Sequence, residues 1–318
     1  MSRKKKKRIR WGRVFGALIL SSIFMVGLYT IYQYIEGKIN VLNEPLKKVE
    51  GKHTFNGAKT KNNLDAVNVL LLGSDSRGEK QARTDTIMIA HYNPQNNAFK
   101  LISFMRDMRV NFPEHGQQKL NAAFSFGGPE LLRQTIKENF NLDIHYYTIV
   151  DFEGFEKAVD LLVPNGIEVD VPYEMSYGIG MTINEGKQRL NGKELLGYVR
   201  FRHDRLSDFG RIQRQQEVIS KLKEEALDTQ SIIKLPELVG LLNKYLDTNI
   251  DSSTLMAIGK DLLTNNSSNV ETLRIPKDSS FEIKRYKGLG EVLEVDFDQN
   301  KEALSTFLEG HGTVQREE

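Results

Sequence analysis

The chain has 318 residues, enough for one large domain or two small ones, and its 27% charged and 39% hydrophobic content is that of an ordinary folded domain. It contains no cysteine, which excludes disulfides, thiolate metal sites and a thiol nucleophile. The net charge of +2 hides an asymmetry: residues 1–13 carry eight of the 44 basic residues and no acid, so the remainder holds 36 basic against 42 acidic residues and is net −6. An acidic body argues against nucleic acid as a partner.

Residues 1–13 form a basic tail, and residues 14–35 follow without a charge. A run of about 22 uncharged residues is long enough to span a ~30 Å hydrocarbon core as a helix. Positive charge on one flank places the N-terminus in the cytoplasm and the body outside. Tyr29, Tyr32 and Tyr34 fall at the outer boundary, where aromatic rings favour the interface. The apolar run exceeds a typical signal-peptide core and no small-residue cleavage site follows, so the spacing predicts a single-pass signal-anchor. Residues 36–65 are polar and read as an extracellular stalk. Residues 66–310 read as the folded domain, and residues 311–318 as a flexible tail.

The domain opens with three short apolar runs, each bounded by charge: Val67–Leu72 before Asp75 and Arg77, Thr86–Tyr92 after Arg83 and Asp85, and Phe99–Met105 before Arg106 and Asp107. Their Val, Ile and Phe content predicts buried strands. The turn at Pro94–Asn97 makes the second and third a hairpin, which brings Arg83 and Asp85 beside Arg106 and Asp107. With the first strand parallel to the third, Asp75 leaves the sheet at the same edge. A strand-end charge is more often a solvated loop residue. Carboxylates and guanidiniums converging together, however, suit a divalent cation and a phosphorylated ligand.

Downstream, Lys119 and Asn121 lie in an expected polar loop within residues 110–128, and Gly127-Gly128-Pro129 is expected to start a helix whose apolar face carries Leu131, Leu132, Ile136 and Phe140. A strand over His145–Val150, a helix over Phe152–Leu162 and a strand over Ile167–Val171 follow; this alternation predicts an α/β layered sheet. A helix over Asn191–Val199 delivers Arg200, Arg202 and Asp204, and the next begins near Ser207 or Asp208. On that helix Asp208, Arg211 and Gln215 share one face. One exposed arginine would be a solvated face; Arg200, Arg202, Arg211 and Arg214 around Asp204 and Asp208 read as a cluster. Leu235–Leu246 and Ser253–Leu263 read as helices, and Val270–Ile275 and Val292–Val295 as strands completing the sheet. No HExxH, GxSxG or GxxxxGK[ST] motif is present, which argues against a zinc protease, an esterase elbow and a P-loop.

The segments GSDSR, RTDTIMI, SFMRD, KLNAAFSFGGPELL, YYTIVDFEGF, RLNGKELLGYVRFRHD and DFGRIQRQQEVI occur in that order over residues 67–227. In this the chain resembles the LytR-CpsA-Psr family of cell-wall ligases. The resemblance implies a three-layer α/β/α domain with a central mixed sheet. It implies a membrane-anchored phosphotransferase that moves an anionic glycopolymer, such as wall teichoic acid, from polyprenyl pyrophosphate to peptidoglycan. It implies a Mg2+ ion, or Mn2+ in its place, associated with Asp75 and Asp85. Arg83, Arg106, Arg202 and Arg211 would bind the pyrophosphate, with Lys119, Arg200, Asp208 and Gln215 as further pocket contacts. Arg106, Asp85 and Asp107 would be catalytic, and either aspartate could be the general base; a metal-bound Asp85 would be the poorer one. The lipid is expected between the sheet and the helices bearing Leu131–Leu132 and Phe155–Val159. A hydrolase of the lipid pyrophosphate and a non-enzymatic envelope regulator are the alternatives.

Overall fold

The computed structural model describes residues 25–33, 35, 53–60, 65–74, 84–96, 98–226, 234–240, 245–264 and 270–310. In chain order the elements are β1 (Val67–Ser74), β2 (Thr84–Asn93), β3 (Ala98–Phe104), β4 (Met108–Phe112), β5 (Gly116–Lys119), α1 (Ala122–Phe140), β6 (Tyr146–Asp151), α2 (Phe152–Leu162), β7 (Ile167–Val171), β8 (Gly186–Leu190), α3 (Gly192–Arg200), α4 (Asp208–Ala226), β9 (Leu246–Thr248), α5 (Ser252–Thr264), β10 (Glu271–Ile275), β11 (Phe281–Tyr286), β12 (Gly290–Val295) and α6 (Phe297–Glu309). Residues 25–33 and 234–240 are also helical. Among the described residues no helix is long and apolar enough to cross a membrane. Most of the expected anchor, the basic tail and the C-terminal tail lie outside them.

Six strands form a mixed central sheet in the order β10-β3-β2-β1-β6-β9. β2 is antiparallel to both β1 and β3, which makes β1 parallel to β3 and sends their C-terminal ends to one edge. β6 joins β1 in parallel and β10 joins β3 in parallel. Alternation along the strands separates two faces. Leu70, Leu72, Ile87, Ile89, Ile102 and Phe104 share one core with Leu132, Ile136 and Phe140 of α1 and Leu304 of α6. On the other face, Gln216 of α4 donates to Ser103 at 3.0 Å and Tyr92 donates to Asp261 of α5 at 2.5 Å. A second core there joins Val159, Val163, Leu195, Val199 and Val218 with β7 and β8.

These two cores correct the expected lipid slot. Leu131 and Leu132 belong to one and Val159 to the other, on opposite faces of the sheet, so they cannot wall a common groove. The 3.6-residue period located buried faces but not the partner each face meets.

The expected polar loop before α1 is instead the hairpin β4–β5. It joins β12 and β11 in a separate four-stranded sheet, so Val292–Val295 does not complete the main one. Leu246 starts strand β9 rather than ending a helix. α1 begins at Ala122, ahead of the glycines, and is broken by non-helical Gly127 and Gly128, with Pro129 in the turn that resumes. A side chain at Gly128, where φ is +63°, would be strained and would meet His53 at 3.1 Å. Buried Lys100 of β3 crosses to α6 and donates to the carbonyls of Phe307 and Gly310 at 2.6 and 2.5 Å, satisfying two orphan acceptors at the helix end.

The short connection between β3 and β4 is fastened on both sides. Met105 N–H donates to the Ile275 carbonyl at 2.8 Å, and Leu293 N–H donates to the Asp107 carbonyl at 3.0 Å. Strands from the far end of the chain therefore hold the peptide that carries Arg106.

Candidate active site

The site begins at an irregularity in the ladder. Gly73 pairs with Thr86 but Ser74 pairs with Thr84, so Asp85 is the extra residue of a bulge. A bulge re-aims its side chain out of the strand's alternation, and here it sends Asp85 to the C-terminal edge of β1 and β3. Gly73 opposite is closely approached: a Cβ there would lie 3.1 Å from that of Thr86, which would have to give way.

Three arginines from three segments converge on Asp85. Arg106, after β3, donates through its Nη1 to Asp85 Oδ1. Arg202, after α3, lies 3.5 Å from Oδ2 and Arg211 of α4 lies 3.9 Å from it. Arg211 also donates to the Asp85 carbonyl at 2.8 Å and to Asp208 at 3.0 Å. Arg106 Nε faces Asp107 at 3.3 Å and Asp208 at 3.4 Å, and Lys119 at the end of β5 donates to Asp107 at 2.8 Å. Gln215, one turn beyond Arg211, donates to Thr86 at 2.9 Å.

The charge balance is positive. Burial raises the Asp85 pKa, but Arg106, with Arg211 and Arg202, more than offsets this and holds the carboxyl below its ordinary range. Burial pushes Arg211 down to about 10, against the pull of Asp208, so it stays charged at neutral pH. Burial opposes the charge on Arg106 too, yet Asp208, Asp85 and Asp107 hold its pKa above the ordinary value. Arg211 Nε and Asp208 Oδ1 are buried without a hydrogen-bond partner among the described residues. A site with fixed guanidiniums, one of them with an unspent N–H, is preorganised for an anion richer in oxygens than one carboxylate.

Two cavities meet at Asp85. The larger, about 590 Å3, is lined by Arg106, Asp107, Gln118, Lys119, Asn121, Ala122, Ser125, Phe126, Gly288 and Leu289 as well as Asp85. The smaller, about 240 Å3, lies between the sheet and α3–α4 and is lined by Gly73, Thr86, Phe152, Tyr177, Gly178, Val199, Arg200, Arg202, His203, Arg211 and Gln215 with Asp85. Arg200 stacks on Phe152, 4.2 Å from its ring centre.

Of the sequence-predicted residues, Asp85, Arg106, Asp107, Lys119, Arg200, Arg202, Asp208, Arg211 and Gln215 all line the two cavities or contact a residue that does. Asp75 and Arg83 lie outside the described residues. Arg214 and Asp204 leave the cluster: they pair at 2.7 Å, both nearly buried, and Arg214 donates to the Tyr198 and Phe201 carbonyls. They form a strut beneath the loop carrying Arg202. Phe126, Tyr177, His203, Gln118 and Ser125 were not picked out as site residues; none carries a charge pattern, and only the neighbouring polar Lys119 and Asn121 hinted at that wall.

The model of the LytR_cpsA_psr family matches residues 29–305. The chain belongs to the LytR-CpsA-Psr family. Regulatory protein MsrR of Staphylococcus aureus (strain COL), another member, is 39% identical over 282 residues, covering 89% of this chain and 85% of that protein. Polyisoprenyl-teichoic acid–peptidoglycan teichoic acid transferase TagU of Oceanobacillus iheyensis is 33% identical over 289 residues, covering 86% and 87%. The crystal structure of B. subtilis TagV superposes with a TM-score of 0.65 at 25% identity, covering 78% of this chain and 99% of that one. The LytR-CpsA-Psr fold thus accounts for the mixed sheet and for the ordered run of motifs.

Proposed function

We infer that this LytR-CpsA-Psr protein is a transferase that moves an anionic glycopolymer of the teichoic acid type from polyprenyl pyrophosphate to peptidoglycan. The observation that carries the reading is the convergence of Arg106, Arg202 and Arg211 on Asp85 between two cavities, in a chain similar along most of its length to a teichoic acid transferase. A pyrophosphate between a lipid and a sugar concentrates negative charge where these guanidiniums stand.

The chemistry is one displacement. An acceptor hydroxyl oxygen bonds to the glycan-side phosphorus, the bond from that phosphorus to the bridging oxygen breaks, and polyprenyl phosphate leaves with the electron pair. Arg202 and Arg211 hold the pyrophosphate, and Arg106 stands beside the transferred phosphoryl group. The hydroxyl proton passes to Asp107. Asp85, the candidate metal ligand and held ionised by three arginines, is the poorer base; Asp107, though paired with Lys119 and Arg106, opens on the larger cavity. Arg83 and Asp75 belong to the same reading as a pyrophosphate contact and a metal ligand.

Asp85 also fits a metal ion. Its side chain is 45% exposed and its Oδ2 has no ion-pair contact shorter than 3.5 Å. Among the described residues no cluster of three His, Cys, Asp or Glu could hold a cation unaided, so Mg2+, or Mn2+, would be shared between Asp85, Asp75 and substrate phosphates. When bound it neutralises charge developing on the bridging oxygen.

The uncharged run at residues 14–35 supports a single-pass anchor with the catalytic domain outside the cell membrane. Within it residues 25–33 are helical, and Met25, Val26, Tyr29, Ile31 and Tyr32 are exposed.

The test uses the full chain in detergent with a polyprenyl-pyrophosphate glycan, Mg2+ and a peptidoglycan oligomer, following polyprenyl phosphate and joined product. Arg106→Ala is expected to lower the joining rate roughly 10²–10³-fold, and chelation of divalent cations to stop it. Phosphate release without joining would make the protein a hydrolase. Donor binding without turnover would make it a lipid-sensing regulator.

A further inference from the structure

The larger cavity contains groups that the pyrophosphate reading does not use. Phe126 is 58% exposed, unusual for a phenylalanine beside a cavity. It is not loose: the His115 ring packs against it at 5.5 Å and Phe112 meets it edge-on at 6.3 Å. The break at Gly127 and Gly128 ends the first turns of α1 directly after it, so this aromatic stands on a short, separately aimed piece of helix. Three uncharged polar side chains share the wall: Gln118, Asn121 and Ser125. Ser125 Oγ is buried with no hydrogen-bond partner among the described residues. Asn121 stands at the N-cap of α1 yet makes no capping bond. A buried hydroxyl left unpaired is costly for a protein that uses it for nothing, and beside it stand a half-buried amide free of the cap and an open aromatic face.

We propose that this cavity is the subsite for the acceptor glycan, with an N-acetylated pyranose ring stacked on Phe126 and its hydroxyl and acetamido groups bonded to Gln118, Asn121 and Ser125. The proposal rests on the transferase reading and adds which cavity receives which substrate. Three features support it. Pyranose rings present apolar C–H faces to aromatic rings and hydroxyls to amides, and this wall supplies both. About 590 Å3 lies within the usual range of ligand sites. Asp107 opens on this cavity and not on the smaller one, and attacking and leaving oxygens lie roughly in line across a transferred phosphoryl group. The leaving lipid phosphate then belongs to the smaller cavity, with its apolar Phe152 and Val199. The Asn121 N–H donates to the Arg106 carbonyl at 3.1 Å, so the two halves of the site are fixed to one another.

The experiment measures the Michaelis constants of both substrates for the full chain and for Phe126→Ala, Phe126→Trp and Ser125→Ala. The expected result is a rise of roughly tenfold in the constant for an uncrosslinked peptidoglycan glycan oligomer with Phe126→Ala, equivalent to about 1.4 kcal/mol. The Trp variant should restore binding, and the constant for the lipid-linked donor and the rate of release to water should not change. A parallel titration reads binding of the same oligomer, and separately of the donor, by the protein without turnover. That arm decides the matter even if no transfer occurs, a result that would sink the transferase reading alone. Donor binding weakened by Phe126→Ala would assign the cavity to the donor glycan and overturn the proposal. Oligomer binding unchanged in all three variants would overturn it as well.

Discussion

Asp85 carries an unusual load for one carboxylate: it forms the bulge at the start of β2, pairs with Arg106 and faces Arg202 and Arg211. Asp85→Asn should therefore abolish transfer while leaving the fold intact, because the side chain is half-exposed. Its effect on stability depends on pH. The folded pKa lies below the ordinary 3.8, so the native pairing contributes stability above that pH and loses it as pH falls through the folded value. Thermal unfolding of the two proteins should differ most near neutrality, and the gap should begin to close only below about pH 4 and narrow steadily as pH falls further; a gap that does not narrow in acid would show that the pairing is not the cause. Arg211→Ala should differ in kind. It leaves Asp208 buried with Arg106 alone, at 3.4 Å, and is expected to cost about 3 kcal/mol in chemical denaturation. The convergence of Asp85, Arg106 and Asp107 was legible because a two-strand hairpin dictates which residues share an edge. The bulge that aims Asp85 was not, since a register slip leaves no trace in composition.

At the level of elements, the reading succeeded where a periodic pattern met a strong stop signal. α2 and β7 fall on their expected bounds because Asp151, whose side chain accepts from the Gly154 N–H, caps the helix and Pro164-Asn165-Gly166 ends it. β4 and β5 were missed because Gly116–Lys119 is wholly polar and its pairing is set by partners elsewhere in the chain. The misplaced lipid slot has the same root: an apolar stripe says that a face is covered and not by what. Two substitutions test elements that the structure makes specific. Gly128→Ala should lower stability by about 1 kcal/mol, since its left-handed backbone suits glycine. Lys100→Met should cost about 1–3 kcal/mol by leaving the Phe307 and Gly310 carbonyls unpaired at the end of α6. Urea denaturation of each variant checks both values, and a Lys100→Met protein as stable as its parent would show that water replaces the ammonium at no cost.

The whole molecule divides its labour unevenly along the sequence. Nearly all the side chains at the site precede α5, and the segments after it contribute backbone: the Ile275 carbonyl and Leu293 amide that grip Met105 and Asp107. A chain ended at residue 269 would keep every arginine and aspartate discussed here. It should nonetheless show no joining activity and weakened donor binding, measurable in the same detergent assay; retained activity would mean that β3 holds Arg106 in place unaided. This grip also imposes a timetable. A polypeptide leaves the ribosome N-terminus first, and contacts of long sequence separation form late. Arg106 emerges early but is locked only when β10 and β12 arrive, so an incomplete chain carries the motifs of an enzyme without being one. For a protein proposed to act on lipid-linked intermediates, the final strands serve as a completion signal: competence begins only when the last of the chain has arrived.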